Sequence, residues 1–185
     1  MARARAGRRP AARSTVDASS AEAGLRVRLA RAEPLALGVL VVSVLAALLM
    51  IAAEALPLWE VEVADFSCAV LATEPAQADE CITYGIEQHR LGLALVGVLV
   101  ALMGAGAALG PSRPAAIALC CAGVVVLALA LGLDLPASRS TGEIGRDFLE
   151  ARAEGRIGLW LELLAGALAV GAGALSLWAQ GRGTR

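Results

Sequence analysis

The sequence predicts an all-α membrane protein: a four-transmembrane-helix bundle, both termini inside, with a small disulfide-stapled β-hairpin in the first outer loop and a short interfacial helix in the second. Three observations predict it. Residues 34–53, PLALGVLVVSVLAALLMIAA, carry no charge; at about 1.5 Å rise per residue they form a helix about 30 Å long, the thickness of a bilayer's hydrocarbon core. Residues 91–109, 115–133 and 157–179 match that run. Second, 58% of the 185 residues are hydrophobic and the mean hydropathy is +0.69, whereas a soluble domain is about 45–50% apolar, with its apolar residues scattered at helix or strand period. Third, charge is distributed by side: eight Arg stand before residue 34, and seven acids against one Arg fill residues 57–90. The Arg excess on the N-terminal side fits the positive-inside bias, and an even number of spans returns the C-terminus to the same side. The expected home is the plasma (inner) membrane. All 16 basic residues are Arg, which suggests a GC-rich, bacterial genome.

Residues 1–33 read as a cytoplasmic basic tail, disordered at first because it lacks apolar periodicity. A short juxtamembrane helix follows, with Leu25 and Leu29 on one face and Arg26, Arg28 and Arg31 around it. Without aromatics or a fold, its expected contact is anionic lipid headgroups and not nucleic acid. The membrane domain covers 34–179, with spans near 34–56, 91–110, 114–133 and 157–179, and 180–185 form a cytoplasmic C-terminal tail. Pro34 suits a first helical turn, where its missing N–H is no loss. Trp59, Trp160 and Trp178 fall where interfacial anchors belong.

In the first outer loop, Trp59-Glu60-Val61-Glu62-Val63 alternates apolar and acidic, the period of a half-buried strand. Residues 82–87 alternate likewise, and 73–80 (TEPAQADE) form a polar turn between the two. Cys68 and Cys81 lie near the inner ends of these strands, in a compartment that permits disulfides. Hence the stapled hairpin. In the second outer loop, Ser140 and Glu143 have capping-box spacing, Ile144 and Phe148 share a face, and Arg146 and Glu150 are placed for an i,i+4 pair. Spans two and four hold rows of small residues, Gly97, Ala101 and Gly104 in one and Ala165, Ala169 and Gly173 in the other, that allow close helix approach in lipid.

Little in the chain points to chemistry. Cys120 and Cys121 are adjacent near the inner end of span three and read as packing residues. The single His, His89, has no second imidazole at ligand spacing, so neither metal nor cofactor is expected and an enzyme is the weaker class. No hydroxyl nucleophile has a base, and no glycine-rich loop follows a strand. Ionisable residues at membrane depth are costly and usually face a bundle interior. Glu54 and Glu162 are two such, and with Arg90 at the same level they form the candidate polar cluster. The layout resembles claudin-type four-span proteins: strands, a Trp and two Cys in the first outer loop, then an Arg at the top of span two. The Gly-Leu-Trp those proteins carry before the first Cys is absent here, so the likeness is one of layout and implies no site residue. The function expected is a non-enzymatic structural or accessory membrane component whose hairpin contacts a membrane-protein partner or a second copy. The alternative is a small transporter or channel subunit using Glu54 and Glu162.

Overall fold

The computed structural model describes residues 34–63, 66–67, 81–110, 112–141 and 150–182. In chain order these form α1 (Pro34–Ala55), β1 (Pro57–Val63), β2 (Phe66–Ser67), β3 (Ile82–Tyr84), a short α2 (Gly85–His89), α3 (Gly92–Leu109) and α4 (Arg113–Leu129). After α4 come a π-helical turn (Ala130–Asp134), a last turn α5 (Leu135–Ala137), β4 (Ala151–Gly155) and α6 (Ile157–Arg182). The basic tail, Cys68, the 73–80 turn and most of the expected loop helix lie outside the described residues.

Four helical segments, Pro34–Ala55, Gly92–Leu109, Arg113–Ala137 and Ile157–Arg182, are long and apolar enough to cross a membrane. Each has its neighbours antiparallel, because α6 packs on both α4 and α1 while α3 packs on α1 and α4. The bundle is close-packed inside: Val39, Ala46, Met50, Val100, Leu119, Val126, Ala165 and Ala169 are essentially inaccessible. Its outside is as greasy as its core. Leu37, Val41, Leu48, Leu95, Leu102, Val124, Leu133 and Leu164 are all exposed, and a water-soluble protein does not leave a surface of this kind uncovered. Lipid is the solvent of this surface.

Small residues set how closely the helices approach. A side chain at Gly104 would run into Ser43 of α1, and one at Gly123 would meet the Val170 backbone nitrogen at 2.7 Å and the Gly166 carbonyl at 2.8 Å. Cys120 fills the gap left by Gly173 and donates its S–H to the Val170 carbonyl (3.6 Å). Cys120 and Cys121 are free thiols.

The expected hairpin is corrected to a larger structure. β1 does pair antiparallel with β3, with Trp59 opposite Thr83 and Glu60 opposite Ile82. It also pairs with β2 and, along most of its length, with β4 of the other loop, from Trp59 opposite Gly155 to Val63 opposite Ala151. The result is one four-stranded sheet with β1 at its centre. A two-stranded hairpin is marginal by itself, and a third strand with an apolar face makes it stable. Here that face is Val61, Val63 and Cys81, packed with Ile82, Ala151 and Ala153. Ladder hydrogen bonds and this apolar cluster hold the described sheet, and Cys68, one half of the expected staple, lies outside the described residues. The chain that was expected to pass from a loop helix straight into span four instead forms a strand over Ala151–Gly155.

The alternation read in β1 holds from Trp59 onward, with Val61 and Val63 buried. A register shift between Pro57 and Trp59 turns Leu58 fully into the interior. Arg156 closes the far side. Its Nε lies 3.0 Å from Glu60 Oε2 and its Nη2 donates to Glu62 Oε1, while its N–H donates to the Leu58 carbonyl (2.7 Å). Burial works against its charge, but Glu60 and Glu62 outweigh that and raise its pKa above the usual arginine value.

Candidate functional site

Directly beneath the sheet, the ends of four elements bring polar groups into the bundle. Glu54 sits one residue before the end of α1 and is 4% exposed. Its Oε1 accepts the N–H of Leu93 (2.8 Å) and of Ala94 (3.3 Å), two of the open donors in the first turn of α3. A helix N-terminus attracts negative charge, and its unpaired N–H groups need an acceptor. One carboxylate satisfies both requirements.

The link from α2 to α3 makes that contact possible. Arg90 and Leu91 both adopt left-handed backbone, with φ of 49° and 68°. Such conformations cost about 1–3 kcal/mol each in non-glycine residues and tend to persist where surrounding contacts impose them. The double turn swings the chain by a sharp angle, so α3 starts above Glu54 and the last residue of α2, His89, faces inward.

Asp134 arrives by a different device. At the end of α4 the Leu135 N–H donates to the Ala130 carbonyl, five residues back instead of four. π turns of this kind rotate the following side chains relative to a straight helix and are frequent at functional sites. Here the turn leaves Asp134 fully buried. Its Oδ1 accepts from Gln88 Nε2 (3.2 Å).

Glu162, five residues into α6, is also fully buried. His89 Nε2 lies 3.7 Å from Glu162 Oε2 and 3.8 Å from Asp134 Oδ2. No hydrogen bond reaches Glu54 Oε2, His89 Nε2, Asp134 Oδ2 or either oxygen of Glu162. Contact with Glu162 raises the His89 pKa, burial opposes this, and the charges of Glu162, Asp134 and Glu54 reinforce the rise. One ligand atom from each of His89, Asp134 and Glu162 falls within 4.8 Å of the others, a grouping able to hold a metal ion.

Of the residues singled out in the sequence, Glu54 and Glu162 are buried in this layer. Arg90 is exposed, and none of the described ion pairs includes it. Trp160 and Trp178 are exposed on α6 and Trp59 is half-buried in β1. The Arg182 guanidinium stacks 3.6 Å from the Trp178 ring centroid. Asp134 and the inward role of His89 were not legible. The available signal was that Asp134 is the first charge after an uncharged run of 20 residues, 114–133, at a point where a helix need not stop.

Compared with protein-family models, with curated proteins and with solved structures, the chain matches none. The bacterial origin read from its all-Arg composition therefore gains no support and is withdrawn.

Proposed function

We propose that this membrane-spanning helical protein is a non-enzymatic accessory component that engages a partner protein through the open edge of its sheet. The supporting observation is the outward edge of β4. The Arg156 N–H bonds to the Leu58 carbonyl, and antiparallel ladders alternate, so in the same register Glu154 and Arg152 also direct their backbone groups to β1. Ala151, Ala153 and Gly155 then present theirs to the other side, where no strand pairs with them among the described residues. A free edge of this kind is a template for strand addition, in which backbone hydrogen bonds supply affinity and side chains supply choice. Arg152 and Glu154 are exposed along it. On this reading the sheet lies outside and both termini lie in the cytoplasm, an orientation that reporter fusions at residue 15 and residue 138 check by reading inside and outside.

A photo-crosslinking amino acid at position 152, activated in native membranes, tests the edge. The expected result is an adduct of discrete mass that disappears when Ala153→Pro removes an outward N–H and leaves the β1 ladder bonds in place. Absence of an adduct, or an adduct indifferent to that proline, counts against the reading.

A second reading, a transporter or channel subunit, draws on Glu54 and Glu162. Buried acids with open oxygens favour it. A cavity of about 280 Å³ lined by Leu35, Val39, Ala107, Ala108, Ser176 and Gln180 lies at the opposite end of the bundle from these acids. Loss of an ion-linked flux in liposomes on Glu162→Gln, with the bundle still folded, would establish this second reading.

A further inference from the structure

The geometry points to a divalent transition-metal site, with zinc its first occupant, formed by His89 Nε2, Asp134 Oδ2 and a Glu162 carboxylate oxygen. Its carrying observation is the convergence of two carboxylates on a single imidazole nitrogen at 3.7 and 3.8 Å. Both separations exceed a hydrogen bond. They lie close to the spacing of ligands around a common centre, which is about 3.4 Å for donors about 2.1 Å from a tetrahedral zinc.

One proton on the imidazole does not satisfy this arrangement. Imidazole Nε2 carries one hydrogen or one lone pair and serves one acid at a time, so the second acid is left unpaired by His89. The side chains of Asp134 and Glu162 are fully buried and that of His89 is 12% exposed. Leaving a buried polar group unsatisfied costs about 1–3 kcal/mol, and more when it is charged. A cation at the centroid satisfies all three donors together. It also offsets the negative charge of the two acids and of nearby Glu54.

The surroundings support a metal as well. Metal-bound carboxylates are usually fixed by a hydrogen bond to their second oxygen, and Gln88 donates to Asp134 Oδ1 while leaving Oδ2 open. Both Glu162 oxygens lack hydrogen-bond partners, so that residue is able to bind through one or both. The donor chemistry narrows the metal. One imidazole with two carboxylates suits zinc, iron, manganese or cobalt, whereas calcium and magnesium take oxygen ligands. The ion would join α2, the π turn and α6, locking the base of the sheet to two spans.

The test uses the full chain purified without a polyhistidine tag, stripped with chelator and equilibrated with buffered zinc. Metal content is read by mass spectrometry, and Co²⁺ serves as a visible probe of the ligands. We expect one zinc per chain, unchanged by Cys120→Ala with Cys121→Ala. Affinity should fall about 100-fold or more in His89→Gln and in Asp134→Asn, since removal of even a supporting residue costs 10- to 100-fold. The Co²⁺ spectrum should show nitrogen and oxygen ligation without a thiolate charge-transfer band. Three results overturn the site: no metal on folded wild-type protein, zinc retained undiminished by His89→Gln, or zinc that leaves with the two cysteines. If a variant fails to fold, wild-type stoichiometry and the Co²⁺ band decide alone. None of these readouts depends on a partner, so their failure and that of the edge reading are separable.

Discussion

Glu54 shows how one side chain can do the work of a cap. It stands where α1 ends, yet it satisfies donors of α3, so its energy belongs to the joint between two spans. Glu54→Gln keeps one acceptor oxygen and removes the charge that favours a helix N-terminus. A loss of about 1–2 kcal/mol is expected, and Glu54→Ala should lose more, because it leaves the Leu93 and Ala94 N–H groups without an acceptor. Reversible unfolding in mixed micelles measures both. Arg90 makes the opposite prediction. Its side chain is exposed and its backbone left-handed, so Arg90→Gly should raise stability by about 1 kcal/mol. If Arg90→Gly instead destabilises, the side chain has a partner and the strain argument fails.

Among the elements, the pairing of α4 with α6 depends on absent side chains. Gly123 sits on the Val170 backbone, which cannot rotate away. Gly123→Val should force the helices apart and cost about 2 kcal/mol or more, while Gly171→Val, which faces open space, should cost far less. The difference between the two variants, both in helix interiors, isolates helix contact from helix propensity. In the sheet, Arg152→Pro and Ala153→Pro form a similar contrast. Arg152 directs its N–H toward β1 and Ala153 does not, so only the first proline removes a ladder bond. Proteolysis at β4 should rise for Arg152→Pro and stay near wild type for Ala153→Pro. Arg156→Ala should matter little, about 1 kcal/mol or less, because its ion pairs are part-exposed and screened.

At the scale of the whole molecule, what was legible in the sequence was what composition dictates. The four apolar runs are visible because lipid demands an unbroken row of such residues, and the first strand because half-burial imposes period two on Trp59 to Val63. β4 escaped for a physical reason. Ala151, Arg152, Ala153, Glu154 and Gly155 have small or charged side chains with low strand propensity, and they form a strand because β1 offers a ladder. The same segment resembles helix by local preference, so tertiary pairing overrides it. The polar layer was half legible: Glu54 and Glu162 stand out as acids within apolar runs. Asp134 reaches the interior only through a π turn, and His89 only through two left-handed residues, neither of which leaves a mark in composition.

Both loops on one side of the bundle knit into a single sheet that roofs the buried layer of Glu54, His89, Asp134 and Glu162. The direct measurement introduces a cysteine pair by Glu62→Cys with Arg152→Cys, residues directly opposite in the β1–β4 register. Opposed Cα atoms in such a pair lie about 5.5 Å apart, within disulfide reach. After mild oxidation in native membranes, a linked peptide joining positions 62 and 152 is expected, and none when the first cysteine is moved to position 58, which lies beyond reach of 152 in that register. Linkage absent at 62 and 152 while both sites still react with a small thiol reagent would contradict it.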